Sequence, residues 1–418
     1  TSLRDQVLAR VTSSRIVTLH ELEDDASYDA DDESTLREKR KSALLRTRDL
    51  GKVVGQDVKL IESILPELCG GSSGGGSFEI GRGLGEAEGS SDQIIQSLHE
   101  YMAFNEDQYV SLIWFRGFLV SFAHRDRPAF EEFMDRAQHD PIWLRYFVEM
   151  QQMVDLNDRA FERLMHVMNR PECSSRQFSY LAGGGNTKTL IAEQLLRLLN
   201  ALARRDTMGL AESIEILQMA QFGSNERSAA EKIELEKMSF DFLSDLDWSK
   251  LTDRRNDEGY QIEEVVSFAL HASLSADAAA ALLQRIIPPD ENGYGDYNET
   301  RKAAMRPFFK KYPRVALDNV CKPDDSNSYD ELFYLLSNRF QDEGSSMIGL
   351  VPDNVLIEWC CEDRDTRIPF ALEHLPLFEK SNDESDAPQI RSAIIPLWQS
   401  AEDKREALKS LTDRMVPM

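Results

Sequence analysis

From Ser91 onward the chain reads as one helical-period segment after another, separated by short polar breaks, with few strand-like runs bounded by hairpin turns. The segments PAFEEFMDRAQ, PIWLRYFVEMQQM, LNDRAFERLMHVMNR, TLIAEQLLRLLNALARR, AAEKIELEKMSFDFLSDL and EEVVSFALHASL are amphipathic at helical spacing. Pro128 and Pro141 stand where first helical turns are expected, a position that tolerates proline. Ser91-Asp92 is expected to cap the helix through Ile94, Ile95, Leu98 and Tyr101. The segment EDQYVSLIWFRGFLVSFAHR is apolar nearly all round, so its helix must be sandwiched between neighbours. It is too short, and too interrupted by Arg116 and Gly117, to cross a membrane. The pattern predicts an all-α fold, either an irregular α-solenoid of helix pairs or a large helical bundle.

The N-terminal part differs. Residues 1–20 fit a strand or a helix. Residues 21–34, ELEDDASYDADDES, carry eight carboxylates and almost no large apolar side chain, which predicts a solvated acidic run. A helical pattern follows, basic over Arg37–Arg48, that could neutralise the run locally or meet an anionic partner. Residues 70–77, GGSSGGGS, read as a flexible linker, with the glycine-rich character continuing through Gly81, Gly83, Gly85 and Gly89. An engineered linker would have the same composition. The expected organisation is therefore an N-terminal segment over 1–69, a Gly/Ser linker over 70–90 and a helical solenoid over 91–418. The absence of an initiator Met and the abrupt end at Val416-Pro417-Met418 suggest a piece of a longer protein.

An internal similarity favours the solenoid over the bundle. Arg306-Pro307-Phe308-Phe309, Leu375-Pro376-Leu377-Phe378 and Ile395-Pro396-Leu397-Trp398 each place two large apolar residues after a proline. A proline in or beside a helix bends it, and recurrent bends would curve successive helix pairs around a common axis. The spacing is irregular, so no strict period is implied.

A net charge of −25 repels phosphate backbones and makes nucleic acid an unfavourable partner for the chain as a whole. Five cysteines, Cys69, Cys173, Cys321, Cys360 and Cys361, show neither framework spacing nor a C-x-x-C pair. Cys360 and Cys361 lie in an apolar stretch and read as core thiols. No stretch approaches the roughly 18 apolar residues of a membrane span, and no signal-peptide pattern is present. A cytoplasmic protein is the expectation.

Chemistry-bearing patterns are few. Phe178-Ser179-Tyr180-Leu181-Ala182-Gly183-Gly184-Gly185-Asn186-Thr187-Lys188-Thr189-Leu190 has the apolar run, glycines and Lys-Thr of a phosphate loop. Backbone N–H groups could cradle phosphate there while Lys188 adds charge. A Walker loop needs glycine directly before the Lys-Ser/Thr pair, however, and Thr187 occupies that place. The bland alternative is an inter-helix loop with Asn186 or Thr187 capping the next helix. The histidines, His20, His99, His124, His139, His166, His271 and His374, form no H-E-x-x-H motif and no i, i+4 pair. Cys173 in a polar loop lacks an identifiable base. The carboxylate pairs Glu131-Glu132, Asp324-Asp325 and Glu362-Asp363 read as solvated faces. The stretch Pro288–Glu299 lacks calcium-loop spacing, and its Tyr294 and Tyr297 suit a contact loop better. No catalytic, cofactor-binding or metal-ligating residue is assigned.

Three stretches carry a resemblance: Trp114-Phe115-Arg116-Gly117-Phe118-Leu119 with His124-Arg125-Asp126; Phe178-Ser179-Tyr180-Leu181-Ala182; and Val351-Pro352-Asp353-Asn354-Val355-Leu356-Ile357-Glu358-Trp359-Cys360. With the helices around them, they make the region from about Asp92 onward resemble HEAT- or armadillo-like helical regions of large bacterial proteins. STAND-type NTPases and other multidomain antiphage defence proteins are of that style. The resemblance implies a non-catalytic region that binds or senses a protein partner, with catalysis in other domains. The alternatives are a nucleotide-binding enzyme using the Gly183–Thr189 loop, and a purely architectural or self-assembling segment.

Overall fold

The computed structural model describes residues 2–12, 33–70, 75–106, 108, 110–183, 185–222, 227–251, 258–287, 299–321, 346–375, 378–379, 389–401 and 404–405. These residues are helical and connecting segments, apart from one two-residue antiparallel pairing in which Phe378 faces Ile390 and Glu379 faces Gln389. The all-α expectation holds for the described residues. The chain divides into two compact units, Thr1–Leu190 and Ile191–Met418. The acidic run up to Asp32, the Asp324-Asp325 pair, Pro376 and the tyrosine-bearing 288–298 stretch lie outside the described residues.

The first unit contains α1 (Leu3–Thr12), α2 (Glu33–Val54), α3 (Val58–Cys69), α4 (Gly75–Glu86), α5 (Ser91–Phe104), α6 (Ile113–Arg125), α7 (Arg127–Ala137), α8 (Pro141–Leu144), α9 (Phe147–Gln151) and α10 (Asp158–Val167). Two 3₁₀ helices follow, Ser175–Ala182 and Asn186–Thr189. Helix α4 packs between α2 and α6, while α5 lies against α3 and α8.

Residues 71–74 of the expected linker lie outside the described residues; from Gly75 onward, α4 corrects the expectation of a flexible segment. From Gly75 to Glu86 the glycine-rich segment is a helix, with Ile80 and Leu84 completely buried. Its glycines are where the backbones meet. A Cβ on Gly81 or Gly85 would stand under 3.0 Å from the Trp114 or Phe118 carbonyl oxygen of α6, and one on Gly83 equally close to the Arg48 carbonyl of α2. The neighbours reciprocate, since Gly117 of α6 and Gly51 of α2 abut the Phe78 and Ile80 carbonyls. Each interior glycine costs a helix about 1 kcal/mol relative to alanine. The close approach offsets this through dispersion and Cα–H···O contacts, the latter about 0.5–1 kcal/mol each. Arg125 of α6 donates to the Gly85 and Ala87 carbonyls and so closes the C-terminal end of α4. Gly89 turns the chain away with φ +82°.

The all-round apolar helix is sandwiched as expected, although it starts only at Ile113. Trp114, Phe115, Phe118, Phe122, Phe130, Phe133 and Trp143 are buried, and the Phe115 ring stacks on Phe118 at 5.3 Å and on Trp143 at 5.4 Å. Pro128 and Pro141 do occupy first turns. Ser91-Asp92 does not cap α5; Ser90 holds the cap position, and its hydroxyl instead donates to the Gly55 carbonyl at 2.6 Å.

The second unit contains α11 (Ala192–Arg205), α12 (Thr207–Phe222), α13 (Ala229–Asp245), α14 (Glu258–Ala269), α15 (Ala276–Ile286), α16 (Glu299–Lys311), α17 (Pro313–Val320), α18 (Asp353–Glu362), α19 (Arg364–His374) and α20 (Ile394–Ser400). Helices pack in pairs: α11 with α12, α13 with α14, α15 with α16. First members also contact first members, α11 to α13 to α15, and second members contact second members, α12 to α14 to α16. Leu195, Leu198, Leu199 and Leu202 of α11 are buried on one helical stripe. The prolines of the internal similarity occupy unequal places. Pro307 lies inside α16, whereas Pro396 falls in the first turn of α20, where it removes no helical hydrogen bond.

Candidate functional site

The Gly183–Thr189 loop is the segment with the most phosphate-loop character in sequence, and its geometry decides what it can do. Ala182 ends one 3₁₀ helix, and Asn186–Thr189 forms a second, short one. Gly185 takes a left-handed conformation, φ +75°, which suits glycine. The Lys188 side chain folds back over it, so a Cβ on Gly185 would meet Lys188 Cε at 2.5 Å. Gly184 lies outside the described residues, and three of the loop's backbone N–H groups are used inside it. Asn186 donates to Gly183 O at 3.1 Å, Lys188 to Gly185 O at 3.0 Å and Leu190 to Thr187 O at 3.1 Å. These donors cannot converge on an anion without breaking the turn. Lys-Thr also does not open the next α-helix, because α11 begins at Ala192 with Ile191 at its cap. Neither Asn186 nor Thr187 caps it, in contrast to the sequence expectation.

Side chains fix the loop to its unit instead. Asn186 Nδ2 donates to Gln152 Oε1 at 2.8 Å and to Tyr180 O at 2.9 Å. Thr189 Oγ1 donates to Leu156 O at 3.0 Å, and Thr187 is buried. Beside this anchor, Arg116 of α6 lies 3.9 Å from buried Glu149 of α9 and over the Tyr180 ring. Burial pushes the Glu149 carboxyl above its ordinary value, against the opposing pull of Arg116 and the Tyr180 hydroxyl. Sequence reasoning missed Glu149, Gln152 and the role of Arg116. The only signal was a lone arginine inside an apolar run, which says that a partner exists without saying which.

A second polar cluster joins α7 to α10. Arg163, 2% exposed, reaches Glu131 at 2.6 Å and Asp135 at 2.7 Å, and donates to the Glu131 carbonyl at 2.8 Å. Arg127 pairs with Glu131 at 2.6 Å, and Arg159 with Asp135. Glu131 is therefore a buried structural partner and not part of a solvated face; only Glu132 is exposed. Glu362 is exposed but engaged by Arg314 and Arg367, and Asp363 caps α19 through Thr366.

The remaining singled-out residues are dispersed. Cys69, Cys173, Cys321 and Cys360 are buried, and burial pushes the Cys69 and Cys360 thiols up to about 12, far from nucleophilic at neutral pH. Cys361 is exposed, contrary to its reading as a core thiol. His374 is buried and donates through Nδ1 to Phe370 O of its own helix at 2.8 Å, while His99 pairs with Asp140 at 3.0 Å. Among the described residues no group of three or more His, Cys, Asp or Glu could hold a metal ion, and no helix is long and apolar enough to cross a membrane. The fold and this loop define an all-helical protein whose glycine loop is internally hydrogen-bonded. No family model, curated protein or solved structure matches the chain.

Proposed function

We propose that the chain is a non-catalytic protein-binding scaffold or sensor region, an irregular α-solenoid working in the cytoplasm as part of a larger bacterial protein or complex. A place in antiphage defence is the narrower form of the same reading. The observation that carries it is the order of helix contacts in the second unit, where pairs stack first member on first and second on second. Stacks of that order present successive helices and loops as a binding surface. Large apolar side chains left exposed support a protein partner: Phe104 at 90%, Phe222 at 55% and Tyr260 at 59%. The charge of −25 disfavours nucleic acid in that role.

The test uses the full chain as bait, followed by light scattering of the purified complex. A discrete complex of fixed stoichiometry, weakened by Phe104→Ala or Phe222→Ala without loss of stability, is expected. Failure to recover any stoichiometric partner counts against the reading. Calorimetric titration with ATP and GTP, with and without Lys188→Ala, addresses the enzyme alternative; saturable binding abolished by the substitution would replace the scaffold reading with it.

A further inference from the structure

Two histidines from different elements meet on the surface of the first unit. His139 lies in the turn between α7 and α8, and His166 in the last turn of α10; both are exposed. Their ring centroids are 4.9 Å apart with the planes at 72°. Two imidazoles that share one metal through bonds of about 2.0–2.1 Å hold their ring centres about 5 Å apart at a tetrahedral angle.

We propose that His139 and His166 form a binding site for a divalent transition-metal ion of the nickel, copper or zinc class. Among the described residues no third His, Cys, Asp or Glu completes a cluster, so water fills the remaining positions. The backbones that carry the two rings are already fixed. Arg163 of α10 is locked to Glu131 and Asp135 of α7, and Arg159 adds a second pair to Asp135. Binding therefore orders little beyond the two side chains, which removes part of the usual entropic cost. The neighbouring Arg170 charge faces Glu172 at 3.6 Å.

The site is independent of the scaffold reading and is tested separately. The probe is nickel, because imidazole suits it while soft thiolates favour other ions, so that exposed Cys361 competes little. Calorimetric titration of the full chain with Ni²⁺ at pH 7.5 is expected to show saturable one-to-one binding. His139→Gln and His166→Gln should each weaken it at least tenfold, with unchanged circular dichroism because both rings are exposed. Binding should also disappear at pH 4.5, where protons displace the metal. Absence of saturable binding in the parent chain overturns the proposal. So does a loss of less than tenfold in either variant, which would leave the pair as an aromatic contact alone.

Discussion

Among the described glycines, Gly81 makes the closest approach to a neighbouring backbone. Its missing side chain lets α4 touch the Trp114 carbonyl, and no rotamer can relieve a clash with backbone. Gly81→Ala should destabilise the protein by about 3 kcal/mol or more, read from the urea midpoint. Gly89→Ala is the control: its φ is +82° but nothing lies within 4 Å of its would-be Cβ, so only backbone strain of about 1–2 kcal/mol remains. Asp135 gives a pH prediction. Partial burial raises its carboxyl, but the hydrogen bonds and charges of Arg159 and Arg163 outweigh this and hold it below 3.8. Its contribution is thus present above about pH 3.8 and is lost as pH falls through the lower folded value. Asp135→Asn should be less stable than the parent at pH 7, with the gap narrowing on acidification, in melts followed by circular dichroism.

At the scale of elements, the helices were legible where the apolar period was long. The buried stripe Leu195, Leu198, Leu199 and Leu202 follows directly from spacing. Helix α4 was not legible, because glycine content reports backbone freedom and is silent about what encloses it. The partners that make α4 a helix, Gly51 of α2 and Gly117 of α6, stand far off in sequence and signal nothing alone. Cys361 was misread for a geometric reason: successive residues on a helix point about 100° apart, so a buried Cys360 turns its neighbour outward. The candidate loop was legible as a turn at Gly185, but its internal hydrogen bonds were not. Gly185→Ala should cost about 1–2 kcal/mol through the left-handed backbone and the Lys188 contact. Glu149→Gln belongs to the same anchor. Its raised carboxyl means that stability present below the ordinary value of 4.5 is lost as pH rises through the folded one. The glutamine variant should therefore lose less stability than the parent over that rise, measured by urea titration at each pH.

At the scale of the whole chain, charge and helix content were readable from composition and period, while the division into units was not. The expected boundary lay at residues 70–90, yet the compact units meet in sequence at Leu190 and Ile191. A glycine-rich block is a boundary signal only if it stays solvated, and here its described helix, Gly75–Glu86, is enclosed by α2 and α6 within one unit. The account of the first unit, and of any surface it offers a partner, stands on that enclosure. Hydrogen–deuterium exchange of the full chain tests it most directly. The account predicts that the amides of Ile80 to Leu84 exchange as slowly as those of α6, with the same dependence on denaturant. Exchange of these amides within seconds, at the rate of an unstructured peptide while α6 stays protected, would contradict it.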